Sequence, residues 1–62
     1  MKLADAKKLH NGDEVIHKVT GESIQVLSTS FINGNKQTRS LIMIEGIGTE
    51  QGYRTWFHDD VK

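Results

Sequence analysis

The sequence predicts an all-β fold, a small bent sheet of four to five strands behind a short N-terminal turn or helix. Three observations carry this expectation. From Glu14 onward apolar residues recur at every second position, the period of a half-buried strand. Aromatic and β-branched residues fall in short runs bounded by Gly, Asn and Asp. The one stretch with helical spacing, Leu3 to Leu9, is too short to stand as a helix by itself.

Each element follows in turn. Leu3, Ala6 and Leu9 share a helical face, which predicts a turn or two laid against the rest of the chain. His10-Asn11-Gly12-Asp13 is a turn cluster that stops it. In the first strand Val15, His17 and Val19 share one face, with Glu14, Ile16 and Lys18 on the other. Thr20-Gly21-Glu22 reads as a turn. The second strand, Ser23 to Ile32, begins with Ile24 and Val26 on one face, while Leu27 and Phe31 have the opposite parity. That switch predicts a bulge or sharp bend near Ser28. Asn33-Gly34 reads as a type I′ hairpin turn, whose two central residues both need positive φ. The third strand is expected from Gln37 to Glu45, with Ile42 and Ile44 pointing inward and Leu41 or Met43 covered by the N-terminal segment. Gly46 to Gly52 reads as a flexible loop, Tyr53 to Phe57 as an aromatic last strand, and His58 to Lys62 as a turn returning one apolar residue to the core. Four such strands are too few for a two-layer sandwich. A sheet curled into a small barrel removes its exposed edges.

Composition bounds the function. Sixty-two residues make a single domain, 1–62. A chain of this size buries only about 60% of its unfolded surface, and it leaves little room for a small-molecule pocket. Eight Lys and Arg balance eight Asp and Glu, so no net field draws the chain to nucleic acid or anionic lipid. There are no cysteines, which excludes a disulfide framework, a thiolate metal site and a thiol nucleophile. The N-terminal residues lack the apolar run of a secretory signal, and the longest apolar run, Leu41 to Ile44, is far too short to span a bilayer. A cytoplasmic protein without a membrane segment is expected.

Asn11-Gly12-Asp13-Glu14-Val15, the Thr20-Gly21 turn, a second strand centred on Val26 and the closing Trp56-Phe57-His58-Asp59-Asp60-Val61 resemble the pattern of small SH3-like barrels. The resemblance covers about Leu9 to Val61 and is closest to short uncharacterised proteins encoded by bacteriophages and prophages. It implies a barrel opened by the Gly-Asp-x-Val strand and closed by a short turn before the last segment. It implies no activity, because such barrels host unrelated binding roles.

His58, Asp59 and Asp60 could form a metal site or an acid–base pair, with His10 and His17 elsewhere. A turn whose carboxylates cap backbone amides explains them better, since no third ligand has suitable spacing. No cofactor, metal or catalytic residue is expected, and the chain reads as a non-enzyme. His17 reads as a half-buried histidine. Lys18, Lys36, Arg39 and Arg54 could form a basic face, but Glu14, Glu22, Glu45 and Glu50 interleave with them. Gly46, Gly48 and Gly52 open no helix, so no phosphate-binding fingerprint exists.

The aromatics are Phe31, Tyr53, Trp56 and Phe57, and a core this small is expected to take most of them. Alternation sets Tyr53 and Phe57 against Arg54 and Trp56. The best functional expectation is a protein-interaction adaptor with an unidentified protein partner, and the alternative is a nucleic-acid-binding accessory module. Because hot spots favour Trp, Tyr and Arg, the expected partner-binding residues are Tyr53, Arg54 and Trp56 beside the Gly46–Gly52 loop, with Phe31 from the neighbouring hairpin.

Overall fold

A computed structural model describes all 62 residues. The chain runs through α1 (Leu3–Ala6), β1 (Glu14–Ile16), β2 (Ser23–Ile32), β3 (Leu41–Gly48), β4 (Gly52–Phe57) and a 3₁₀ turn (His58–Asp60). The four strands form one antiparallel meander, β1-β2-β3-β4. The fold is mostly β, as the alternation predicts. The sheet itself is not closed, because β1 and β4 do not pair. Instead the C-terminal segment reaches the end of β1 through one bridge, His17 with Val61. Two backbone bonds flank it, Lys18 N–H to the Asp60 carbonyl and Lys62 N–H to the Ile16 carbonyl, at 2.9 and 2.8 Å.

One face of the sheet carries the core. Val15, Ile24, Val26, Ile42, Ile44 and Trp56 meet Ala6 from α1 and Val61 from the C-terminal segment, with Met1, Leu3 and Leu9 packed against them. Ile42 and Ile44 therefore point inward as expected, and the last turn does return one apolar residue, Val61, to the core. The β2–β3 register slips between Val26 and Ser28, leaving Leu27 as the extra residue. This is the expected bulge, and it increases the local twist.

Five expectations need correction. There is no type I′ turn at Asn33-Gly34: neither residue has positive φ, and β2 and β3 are joined by the eight residues 33–40. The third strand consequently starts at Leu41 instead of Gln37. Gly46 to Gly52 is no flexible loop, because Gly46, Ile47 and Gly48 extend β3 and only Thr49, Glu50 and Gln51 form the turn. The first strand ends at Ile16, and Val19 is exposed on a turn instead of sharing a buried face with Val15. Finally, α1 packs on the core face, so Leu41 and Met43 on the opposite face stay half-buried without its cover.

Candidate functional site

The register defines the sheet's other face row by row. Glu14, Gln25, Ile47 and Tyr53 lie abreast across all four strands. Ser28, Glu45 and Thr55 form the next row, then Ser30, Met43 and Phe57, and finally Ile32 beside Leu41. Nothing in the chain covers this face. Ile47 is 45% exposed and Tyr53 64% exposed, with Phe57 and Ile32 exposed to a lesser degree. Exposed apolar side chains are ordinary singly; here Ile47 and Tyr53 form one adjacent pair and Met43 and Phe57 another, with the polar row of Ser28, Glu45 and Thr55 between them.

Charge on this face has one sign. Its strand residues include two charged groups, Glu14 and Glu45, both acidic, and no Lys or Arg. Glu14 accepts a hydrogen bond from the Ser23 hydroxyl at 2.7 Å. Glu45 accepts one from the Tyr53 hydroxyl at 2.6 Å, laying the ring over β3. That bond stabilises the protonated phenol, so it raises the Tyr53 pKa above the usual tyrosine value, aided by partial desolvation and by the Glu45 charge itself. At the end of the face, Gly12, Glu14, Ser23, Gln25, Ile47, Gly48 and Thr49 line a shallow open cleft of about 350 Å³.

The expected site residues are not brought together. Tyr53 is on the outer face. Trp56 is only 6% exposed and lies on the core face beside Ile44. Arg54 has the core-side parity but is exposed at the rim, where it hydrogen-bonds the Gln51 side chain. Phe31 aligns with Ile42, on the opposite face from Tyr53, and is 50% exposed. The Lys7 ammonium sits 4.9 Å from its ring centre. The core takes only Trp56 of the four aromatics, contrary to expectation, because Tyr53 and Phe57 have the outer parity and Phe31, though on the core side, lies exposed near the end of β2.

Ile47, Phe57, Met43 and Glu45 were not anticipated as site residues. Carrying the period-two alternation through Gly46 and Gly48 would have found Ile47, since both glycines then fall inside and Ile47 outside. Gly46 and Gly48 are glycine because the inside is crowded. A Cβ on Gly46 would lie 2.6 Å from the Gln25 carbonyl oxygen, and one on Gly48 would lie 2.2 Å from a Glu22 carboxylate oxygen.

The polar residues near the C-terminus have structural partners. His58 is buried, and its Nδ1 accepts the Ile42 backbone N–H at 3.2 Å. Burial lowers its pKa, reinforced by Arg39, the N-terminal ammonium and Lys18 and opposed by Asp60. Asp59 pairs with Arg39, and Asp60 accepts the Phe57 N–H at 3.2 Å. No group of three His, Asp or Glu side chains converges as a metal site would require. His17 is half-buried, its Nδ1 accepting the Val19 and Thr20 N–H groups at 3.1 and 3.3 Å. Of the candidate basic residues, Lys18 and Lys36 are exposed, and none of the four belongs to the outer face. No helix is long and apolar enough to cross a membrane. Comparison with family models, curated proteins and solved structures finds no match.

Proposed function

We propose that this chain is a non-catalytic protein-interaction module whose contact surface is the outer sheet face around Ile47, Tyr53 and Phe57. The architecture we assign is an incompletely closed SH3-like barrel. The bend at Leu27, the 3₁₀ turn and the His17–Val61 bridge support that assignment. Resemblance to phage and prophage modules suggests a phage or host protein as the partner, met in the cytoplasm.

The single observation that carries the reading is the sign of the charge beside the exposed apolar residues. Phosphate would be repelled by Glu14 and Glu45 and would find no arginine or lysine on this face. A polypeptide carrying Lys or Arg among apolar side chains finds both an apolar patch and complementary charge. The occupant is therefore a basic, apolar peptide segment, and nucleic acid is the alternative that the test must exclude.

Two synthetic peptides decide it, one alternating Lys with Leu and the other with every Lys changed to Glu, together with a single-stranded DNA oligonucleotide. The basic peptide is expected to shift the backbone amides of Ile47, Tyr53, Thr55 and Phe57, while the acidic one leaves them still. Glu45→Lys should weaken that binding several-fold, as an exposed ion pair contributes up to about 1 kcal/mol. Equal response to both peptides, or DNA binding with a steep salt dependence, would overturn the proposal.

A further inference from the structure

β4 ends the sheet, and its far edge has no partner strand. The Phe57 N–H turns to the Asp60 carboxylate instead of crossing to β3. Because backbone groups alternate in direction along a strand, Tyr53 and Thr55 then also present their N–H and C=O groups to the free edge. Neither residue's N–H has a partner among the turn and loop hydrogen bonds. An unpaired edge of this kind is a template for another strand, and proteins blunt such edges with proline, bulges or lysines. β4 has no proline, bulge or lysine, and its one charged residue, Arg54, is held by the Gln51 side chain at the turn end of the strand.

We infer that this edge is the seam for a second copy of the chain, with the two β4 strands pairing antiparallel about Thr55. The inference is independent of the peptide-docking reading. It rests on the self-complementarity of Tyr53-Arg54-Thr55-Trp56-Phe57. In this register Thr55 faces its own copy on the two-fold axis, a favourable Thr–Thr pair. On the outer face, Tyr53 lies opposite Phe57 of the second copy, giving two aromatic cross-strand pairs. On the core side each Arg54 lies opposite the other copy's Trp56, so the two arginines are diagonal and not directly opposed. Shifting the axis by one residue sets arginine against arginine on one side, or removes the aromatic pairs on the other. Both Thr55 N–H groups and both Tyr53 N–H groups gain acceptors across the seam. The paired sheet has eight strands, and its outer apolar face becomes continuous. This contact also gives a 7.0 kDa chain burial that its own core cannot supply.

Because the chain has no cysteine, a single introduced thiol reports the register cleanly. Opposed Cα atoms in a hydrogen-bonded antiparallel pair lie about 5.5 Å apart, within the disulfide range of roughly 4.4–6.8 Å. Thr55→Cys should therefore form a linked dimer at least tenfold faster than Arg54→Cys, whose copies are offset along the strands. Sedimentation of the unaltered chain should give twice 7.0 kDa at high protein concentration. Thr55→Lys, which sets like charges on the axis at an exposed position, should weaken that dimer at least tenfold with the circular dichroism spectrum unchanged. A chain that stays monomeric at millimolar concentration overturns the inference. Equal cross-linking of the two cysteine variants overturns it as well, and so does a dimer indifferent to Thr55→Lys. Peptide binding by a strictly monomeric chain would leave the proposed function standing alone.

Discussion

The two long hairpins of this sheet close in opposite ways, and the difference separates turns made by local chemistry from turns held by the core. The β3–β4 turn is three residues long, and its anchor comes from elsewhere in the chain. Glu22, only 3% exposed, accepts the Glu50 N–H at 2.9 Å, the Gln51 N–H at 2.7 Å and the Gln51 side-chain amide at 3.1 Å. Gly52 completes the turn at φ +72°, a left-handed value that glycine adopts without cost. The β2–β3 connection is eight residues long and anchors itself. Asn35 Oδ1 accepts the Gln37 and Thr38 N–H groups at 2.8 and 2.9 Å, and the Asn35 N–H returns to the Thr38 carbonyl at 2.8 Å. The first turn should fail with the whole fold, the second by itself.

The sharpest break is therefore at Glu22. Glu22→Leu removes the buried carboxylate that accepts two part-buried backbone N–H groups of the turn, among the more damaging changes available to a small domain. We expect the largest loss of stability in the chain, enough to populate the unfolded state at room temperature. Gly48→Ala should act through the same anchor, since its Cβ would displace the carboxylate that the turn binds and press on Trp56, 3.3 Å away. Thermal melts of the two variants check this. A Glu22→Leu protein as stable as the parent would mean that the carboxylate anchors nothing.

Acid should reproduce part of that loss. The Gln51 backbone bond, joined by the Glu50 backbone bond and the Gln51 side-chain bond, outweighs desolvation and lowers the Glu22 pKa. A carboxyl with a depressed folded pKa contributes stability that is fully present above its unfolded value, about 4.3, and is lost as pH falls through the folded one. His58 has the same sign. Its folded pKa is lowered, so its contribution is complete above about pH 6.5 and declines as pH falls through the folded value. Protonation there would also cost the bond from the Ile42 N–H. Denaturation midpoints measured from pH 8 to pH 2 should fall in two stages, and His58→Gln should abolish the upper one. A flat profile down to pH 3 would contradict both assignments.

How much of this was legible follows the same division. The alternation of Ile24 with Val26 and of Ile42 with Ile44 marks the core face, and the parity switch marks the bulge, because burial imprints a period on neighbouring residues. Val61 was readable as a returning apolar residue for the same reason. Glu22 was not, since its partners lie 28 and 29 residues along the chain and nothing local announces them. The two glycine-rich segments misled in opposite directions. Gly46 and Gly48 read as flexibility but provide close packing in a strand, and Asn33-Gly34 reads as a tight turn inside a long connection. The outer face was hidden for a related reason. Once Gly46–Gly48 is taken for a loop, Ile47 has no row, and Tyr53 is grouped with Arg54 and Trp56 by residue type even though alternation sets it on the face of Phe57.

Gly34 tests that lesson at moderate cost. Its φ is not left-handed, yet an added Cβ would lie 2.5 Å from the Thr38 carbonyl oxygen, the Arg39 carbonyl carbon and the Ser40 nitrogen. These are backbone atoms, and they cannot step aside as a flexible side chain would. Gly34→Ala should cost about 1–3 kcal/mol, the usual range for overpacking. Gly34→Asn separates the two accounts of this position. Asparagine tolerates positive φ, so a type I′ turn would accept it, whereas close approach makes it as damaging as alanine. Equal denaturation midpoints for Gly34→Asn and the parent would restore the tight-turn reading.

The smallest effect belongs to Asn35. Its side chain is exposed and its bonds are local, so Asn35→Ala returns two N–H groups to water instead of stranding them in the core. Each neutral hydrogen bond is worth roughly 0.5–1.5 kcal/mol net, and solvation of the freed groups offsets much of that, so we expect a loss of about 1 kcal/mol. The informative readout is where the loss appears. Amide hydrogen exchange should quicken at Gln37 and Thr38 and leave Glu50 and Gln51 protected, because the β3–β4 turn draws its stability from Glu22 and the global fold. If exchange quickens equally at both turns, the β2–β3 connection is coupled to the core, and the contrast between the two hairpins does not hold.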